Sequence, residues 1–330
     1  MATPRRYRAH DEDSARWLGF PYRDDDIVIS TRSKTGTTWV QMICALLIFQ
    51  QPRPPAPIAQ LSPWLDHLIA PREQVFAQLA AQEHRRFIKT HTPLDGIPLD
   101  PRVTYLVTAR HPLDVAVSLY HHSANIDRAR LRQLIGQPEP TTPPPPLPPL
   151  HDWLLDWIAD DHDPAERLDS LPGLIWHISD AWARRGQPNI VLVHYDNLSA
   201  DLAGQMRWLA GRLGITVPGH AWPALVRAAT FESMSGNARP PCPPRGCSRA
   251  TPRSSAEAGP GPDARSSATG RLRPTTTAPP GWHRPTCSPG CTRRAPGRLL
   301  TAAGCEAGHR TVPRFPAAAI QWAVSFIADT

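Results

Sequence analysis

Lysine is almost absent from this sequence: Lys34 and Lys89 stand alone among 330 residues, against 34 arginines. A coding preference for arginine explains that bias wherever either cation would serve. The positions that keep lysine are then candidates for a site that needs a compact ammonium rather than a planar fork. Cysteine is as sparse at first. Cys44 is alone in residues 1–238, and the other five, Cys242, Cys247, Cys287, Cys291 and Cys305, all come later. The first part therefore has no disulfide framework and requires no oxidising compartment. No run of about 18 apolar residues occurs, and the basic stretch Met1 to His10 is not followed by an apolar one. Neither a membrane span nor a secretory leader is expected, which points to a cytoplasmic protein.

The net charge of +7 does not describe a basic body. Residues 1–238 hold 23 Lys and Arg against 25 Asp and Glu, whereas residues 239–330 hold 13 Arg against 4 acids. The positive surplus belongs to the tail, so a nucleic-acid footprint over the first part is not expected.

What is present is an alternation of strand and helix signals. Asp26 to Ser30 is a short apolar run with β-branched residues, followed by the small, hydroxylated stretch Thr31 to Thr38 and then by Trp39 to Leu47. This reads as strand, tight loop and helix. Further strands are expected at Phe87 to Thr90, Val103 to Ala109 and Ile190 to His194, each apolar enough for burial on both faces. Helices fit Leu113 to His122, Leu174 to Arg185 and Leu202 to Leu213, where apolar residues recur three or four apart. The order implies a doubly wound α/β domain with a central parallel sheet. The proline-rich stretch Pro138 to Pro149 fits neither a helix nor a central strand and is expected to be an exposed loop, either a lid or a plain insertion. After Asn237 periodicity stops, and Pro, Arg, Ser, Thr, Gly and Ala take over. Residues 1–238 are thus read as the domain and 239–330 as a largely disordered tail.

The loop Ser33 to Trp39 lies where a strand gives way to a helix. Backbone N–H groups and the positive helix end suit a phosphate there, with Gly36 allowing close approach and Lys34 adding charge. A plain turn is the alternative. Its lysine precedes its glycine, so it is not the loop of nucleoside-triphosphate enzymes. Lys89-Thr90-His91 contains the other lysine at the end of the second strand, and a histidine near neutrality suits a general base. Arg110 follows the third strand and Ser118 comes eight residues later, a fork of donors and a hydroxyl suited to a phosphate monoester.

Lys34-Thr35-Gly36-Thr37-Thr38-Trp39 resembles the 5'-phosphosulfate loop of the sulfotransferases that use 3'-phosphoadenosine 5'-phosphosulfate (PAPS), differing from the pattern Lys-Ser-Gly-Thr-Thr-Trp only at Thr35. Lys89-Thr90-His91 and Val103 to Ser118 are similar to that family's next two segments. The resemblance covers roughly residues 17–238. It implies a P-loop-like three-layer fold and transfer of a sulfuryl group from PAPS, as co-substrate, to a hydroxyl or amine of a small organic acceptor. No metal is implied. By the same resemblance Lys34 contacts the oxygen bridging phosphorus and sulfur, Thr37 and Thr38 the 5'-phosphate, and Trp39 the adenine. His91 matches the catalytic base, Lys89 a charge-balancing group, and Arg110 and Ser118 the 3'-phosphate clamp. Tyr195 falls at the adenine-touching position, for which a core tyrosine is the alternative. Thr230, Phe231 and Met234 fall in a segment lining the nucleotide pocket, while Asp114 is expected to cap or support a helix start. The family's Arg-Lys-Gly, which completes the 3'-phosphate site, has no counterpart downstream because no lysine occurs there.

That gap leaves a rival reading of a defective remnant that at most binds the nucleotide weakly. The tail itself admits three accounts: a reading-frame shift in a GC-rich gene, an authentic basic tail, or a zinc site from Cys242, Cys247, Cys287 and Cys291.

Overall fold

The computed structural model describes residues 3–142 and 145–237, so the tail, with its proposed disorder, frame shift and zinc site, lies outside the described residues. Four strands form the centre: β1 (Ile27–Thr31), β2 (Phe87–Thr90), β3 (Thr104–Ala109) and β4 (Ile190–His194). Each coincides to within one residue with a run expected from its apolar, β-branched composition. All pairings are parallel and the order is β2-β1-β3-β4, with Ile29 level with both Lys89 and Leu106. The chain runs outward from β1 to one side and then crosses to the other, which puts a topological switch point between β1 and β3.

Helices follow in the order α1 (Thr37–Phe49), α2 (Ile58–Leu61), α3 (Arg72–Ala80), α4 (Pro112–Asn125), α5 (Arg128–Leu134) and α6 (Leu150–Ile158). They continue with α7 (Leu171–Ala183), α8 (Tyr195–Ala200), α9 (Leu202–Arg212), α10 (Trp222–Ala228) and α11 (Phe231–Asn237). The sheet separates two apolar layers. Ile27, Ile29, Phe87, Leu106, Val191 and Val193 face α1, α9 and α10, while Val28, Ile88, Tyr105 and Val107 pack with Trp17, Leu65, Val75, Leu79 and Ala181. Successive strand residues thus enter opposite layers, and both faces are dry, as a parallel sheet requires.

Local chemistry sets several helix starts. Ser170 caps α7, its Oγ accepting from the Gly173 N–H at 3.0 Å, and Pro172 sits in the first turn, so this helix begins three residues before its apolar periodicity does. At α4 the N-cap is His111, whose Nδ1 accepts from the Leu113 N–H at 3.3 Å, and Asp114 supports the helix start from the first turn. Described residues between 137 and 149 form neither helix nor strand and are mostly exposed, in line with their prolines.

The outer edge of β2 is covered without a full strand. Lys89 donates to the Pro63 carbonyl at 3.0 Å and Leu65 donates to the Lys89 carbonyl at 3.2 Å, so Trp64 runs beside Lys89. The N-terminal segment lies against the same stretch, with Asp13 N–H bonded to Asp66 O at 2.9 Å and Glu12 bridged to His67.

At the opposite end of β1 a buried ion pair joins Asp26 to Arg86. Their side chains are 1% and 2% exposed; Arg86 Nε donates at 2.8 Å, Nη2 bonds the second carboxylate oxygen, and the Arg23 N–H adds a third bond at 2.8 Å. Removing one partner would leave a buried charge uncompensated. Asp26→Asn is expected to lower the unfolding free energy by about 3–5 kcal/mol, read by urea denaturation.

Candidate active site

Every strand of the sheet is followed at its carboxyl end by a residue singled out above: the Lys34 loop after β1, His91 after β2, Arg110 after β3 and Tyr195 after β4. Parallel pairing brings these four ends to one edge, where open α/β sheets bind ligands.

The loop from Arg32 to Gly36 is held in an unusual backbone. Lys34 has φ +69° and Gly36 has φ +108°. A Cβ on Gly36 would come within 3.1 Å of the Tyr195 ring, so glycine is required by both conformation and space. The Thr35 side chain turns inward, is buried, donates to the Arg32 carbonyl at 2.8 Å and bonds Thr108 Oγ1 at 2.7 Å. Its hydroxyl thus braces the loop from within. Thr37 is buried too, its hydroxyl 2.6 Å from Thr31 Oγ1, whereas Thr38 is exposed. Lys34, Thr38 and the first-turn N–H groups of α1, which no helix carbonyl reaches, are the groups of this stretch suited to an anion.

Across the switch point, Arg110 Nη1 donates to the Lys34 carbonyl at 3.2 Å, and its guanidinium lies 4.2 Å from the centre of the Tyr195 ring. Its Nε is buried and has no partner among the described residues. Ser118 stands on the second turn of α4, half-buried, and its hydroxyl makes no hydrogen bond among the described residues. Burial, with Arg110 second, holds the Lys34 ammonium below its ordinary pKa.

Trp39, Tyr195 and Phe231 make an aromatic wall beside the loop, with ring centres 5.2 Å apart for Trp39–Tyr195 and 4.5 Å for Trp39–Phe231. Trp39 is fixed by its Nε1 donating to the Ala229 carbonyl at 2.8 Å. Thr230 is not a free wall residue: its hydroxyl accepts from the Ser233 N–H at 3.3 Å and so caps α11, while Met234 packs against the core.

His91 and Lys89 form the other half of the edge. The buried His91 ring bonds the Thr31 carbonyl through Nδ1; a carbonyl only accepts, so Nδ1 carries the proton and Nε2 keeps its lone pair. Burial first, then Lys89 and Arg32, push this imidazole well below the ordinary histidine range, so it is neutral at pH 7 and able to accept a proton. Lys89 is pulled down to about 8 by burial, against the opposing pull of Glu12 and Asp66.

Sequence patterns gave no sign of the residues around this pair. The Trp64 ring lies under the Lys89 ammonium at 3.8 Å, meets His91 edge-on with centres 4.6 Å apart and stacks on His67 at 4.0 Å. Asp66, fully buried, accepts from the hydroxyls of Thr90 and, at 2.6 Å, Thr92. Glu12, Arg32 and His177 complete the surroundings. These residues come from distant stretches joined through single bridges, which leave no periodicity to read.

The sequence profile of the family described as "Sulfotransferase domain" matches residues 24–240. The chain belongs to the sulfotransferase family. It is 39% identical over 249 residues to the glycolipid sulfotransferase of Mycobacterium bovis, covering 70% of this chain and 76% of that one. The glycolipid sulfotransferase of Mycobacterium tuberculosis is equally similar, 39% over 248 residues, with the same coverage. Human sulfotransferase 2B1 is 28% identical over 223 residues, or 65% of this chain and 53% of that one. Among solved structures, retinol dehydratase in complex with androsterone and the inactive cofactor PAP superposes with a TM-score of 0.51 at 21% identity, covering 68% of this chain and 69% of that one. That likeness concerns the fold. Nothing in these comparisons supports the reading of a defective remnant. Among the described residues no helix is long and apolar enough to cross a membrane, and no cluster of side chains suited to a metal occurs.

The doubly constrained glycine gives a direct test of the loop. Gly36→Ala should destabilise the fold by about 1–3 kcal/mol, the cost of a strained backbone plus the push on Tyr195. A fall of roughly 2–12 °C in the thermal midpoint would register it. An unchanged midpoint would mean that the loop relaxes freely.

Proposed function

We propose that this sulfotransferase takes its sulfuryl group from PAPS and passes it to a hydroxyl, or an amine, of a small organic acceptor. The carrying observation is the meeting, at one edge of the sheet, of a tight lysine- and glycine-containing loop at a helix start and a neutral histidine whose Nε2 keeps its lone pair. The residues fit the donor. Among the described residues Arg110 Nε is buried without a partner and the Ser118 hydroxyl makes no hydrogen bond, and the Gly36 loop offers a surface that no Cβ obstructs. These would hold the 3'-phosphate and the 5'-phosphosulfate, with Trp39, Tyr195 and Phe231 beside the adenine.

In this reading His91 Nε2 takes the acceptor proton as the acceptor oxygen bonds to sulfur and the bond between sulfur and the bridging oxygen breaks. Lys34 faces charge growing on the departing phosphate, and Lys89 faces the sulfuryl oxygens. Two cations suffice because the sulfuryl group carries less charge than a phosphoryl group. The names of the mycobacterial relatives support a glycolipid hydroxyl as the first acceptor to try.

His91→Ala should abolish transfer while leaving the affinity for adenosine 3',5'-bisphosphate within about twofold, because the base acts on the acceptor. Arg110→Ala should weaken the same ligand by about 1.5–3 kcal/mol, the worth of hydrogen bonds to a charged group. Calorimetric titration of both variants separates the two roles, and equal losses of binding would overturn them.

The pH dependence has a definite sign. His91 is competent only when neutral, so kcat/KM rises through its depressed pKa on the acid side. Lys89 is competent only when charged, so kcat/KM falls as pH passes about 8 in the free enzyme. A bell that narrows toward alkaline pH in Lys89→Arg would contradict this assignment, since arginine keeps its charge.

A further inference from the structure

We infer that Arg32 is the positioning residue of the catalytic histidine. The proposal rests on His91 being the base. Arg32 directly follows β1 and precedes the phosphosulfate loop, and its guanidinium is fully buried at 1% exposure. Nη1 donates to the His91 carbonyl, while the carbonyl of its neighbour Thr31 accepts from the His91 ring. Two consecutive residues thus hold His91 at both its main chain and its imidazole, which fixes the ring and the tautomer together.

The other end of Arg32 is anchored by acids from two distant segments. Nη2 donates to Asp169 at 2.7 Å, immediately before the cap of α7, and lies 3.9 Å from Glu12 Oε1 in the N-terminal segment. Glu12 is buried at 7% exposure and its Oε2 has no partner among the described residues; Arg32 Nε is likewise unpartnered. Burial raises the Glu12 carboxyl above the ordinary range, more than Arg32 lowers it, so the half-exposed Asp169 is the principal counter-ion of the guanidinium near neutrality. The titratable groups facing His91 are Lys89 from β2, Arg32 from the loop and His177 from α7, with Glu12, Asp66 and Asp169 around the two cations; burial pushes His177 down to about 3, so it is neutral near pH 7. A cation at Arg32 therefore disfavours the imidazolium and keeps the base neutral, and its planar fork spans His91 and Asp169 at once, which an ammonium on a flexible stem does not.

The test compares Arg32→Met, which removes both charge and fork, with Arg32→Lys, which keeps the charge. Both are followed by the pH profile of kcat/KM for sulfuryl transfer and by titration with adenosine 3',5'-bisphosphate. In Arg32→Met the acid limb should move to higher pH and kcat should fall by roughly tenfold to a hundredfold, the usual effect of a misplaced catalytic group. In Arg32→Lys the acid limb should stay in place while kcat still falls, and the bisphosphate should bind both variants within about threefold. An acid limb unmoved in a folded Arg32→Met would overturn the inference, because a merely structural arginine alters stability without touching the titration of His91. Should Arg32→Met fail to fold, Arg32→Lys decides alone: an unchanged kcat overturns the inference and a lowered kcat with intact bisphosphate binding supports it. His91→Ala with undiminished turnover would instead sink the base assignment itself, which keeps the two failures apart.

Discussion

Parallel hydrogen bonding between β2, β1, β3 and β4 is the constraint from which the site follows. In a parallel ladder all strands end on the same side, so whatever follows each strand is delivered to a common edge regardless of how far apart the segments lie in sequence. Lys34, His91, Arg110 and Tyr195 come from stretches spread over 160 residues, yet each stands within three positions of a strand end. The reversal of direction between β1 and β3 then leaves a gap at that edge, and the Arg110 guanidinium crosses it to the Lys34 carbonyl at 3.2 Å.

Two kinds of buried polar contact keep this edge in shape. Threonine hydroxyls pair within the loop, Thr35 with Thr108 and Thr31 with Thr37, and they satisfy polar groups that the tight turn forces inward. Around the histidine, groups of opposite charge approach from distant segments instead: Arg32 bonds Asp169, and Lys89 lies in the field of Asp66. The first arrangement makes a rigid receptacle. The second leaves a histidine and a lysine close together, both with pKa values lowered by burial, a pattern that marks functional sites.

The strands were legible in the sequence because burial on both faces demands continuous apolar, β-branched runs, and Phe87 to Thr90 and Ile190 to His194 satisfy that demand locally. The Lys34 loop and Arg110 were legible because they lie directly after such runs. Trp64, Asp66 and Glu12 were not. Each reaches the site through a single bridge or a lone backbone bond, and such pairings impose no spacing on their neighbours. The inward turn of Thr35 escaped for a related reason: a threonine in a glycine-rich turn has the same composition whether it faces solvent or core. Helix α6 follows a run of prolines whose extended character masked the five apolar residues after Asp152 that pack or project from it.

Lys89 rests on the face of Trp64, and this manner of holding a cation differs in kind from holding it with a carboxylate. An aromatic face attracts the ammonium through its quadrupole but accepts no proton and carries no net charge. The ammonium is therefore kept in place without giving up a proton to the ring, and among the described residues its N–H groups make no hydrogen bond. Because the attraction involves no counter-ion, added salt does little to displace it. The tryptophan stores a full positive charge beside the histidine in a form that is still available to whatever anion arrives.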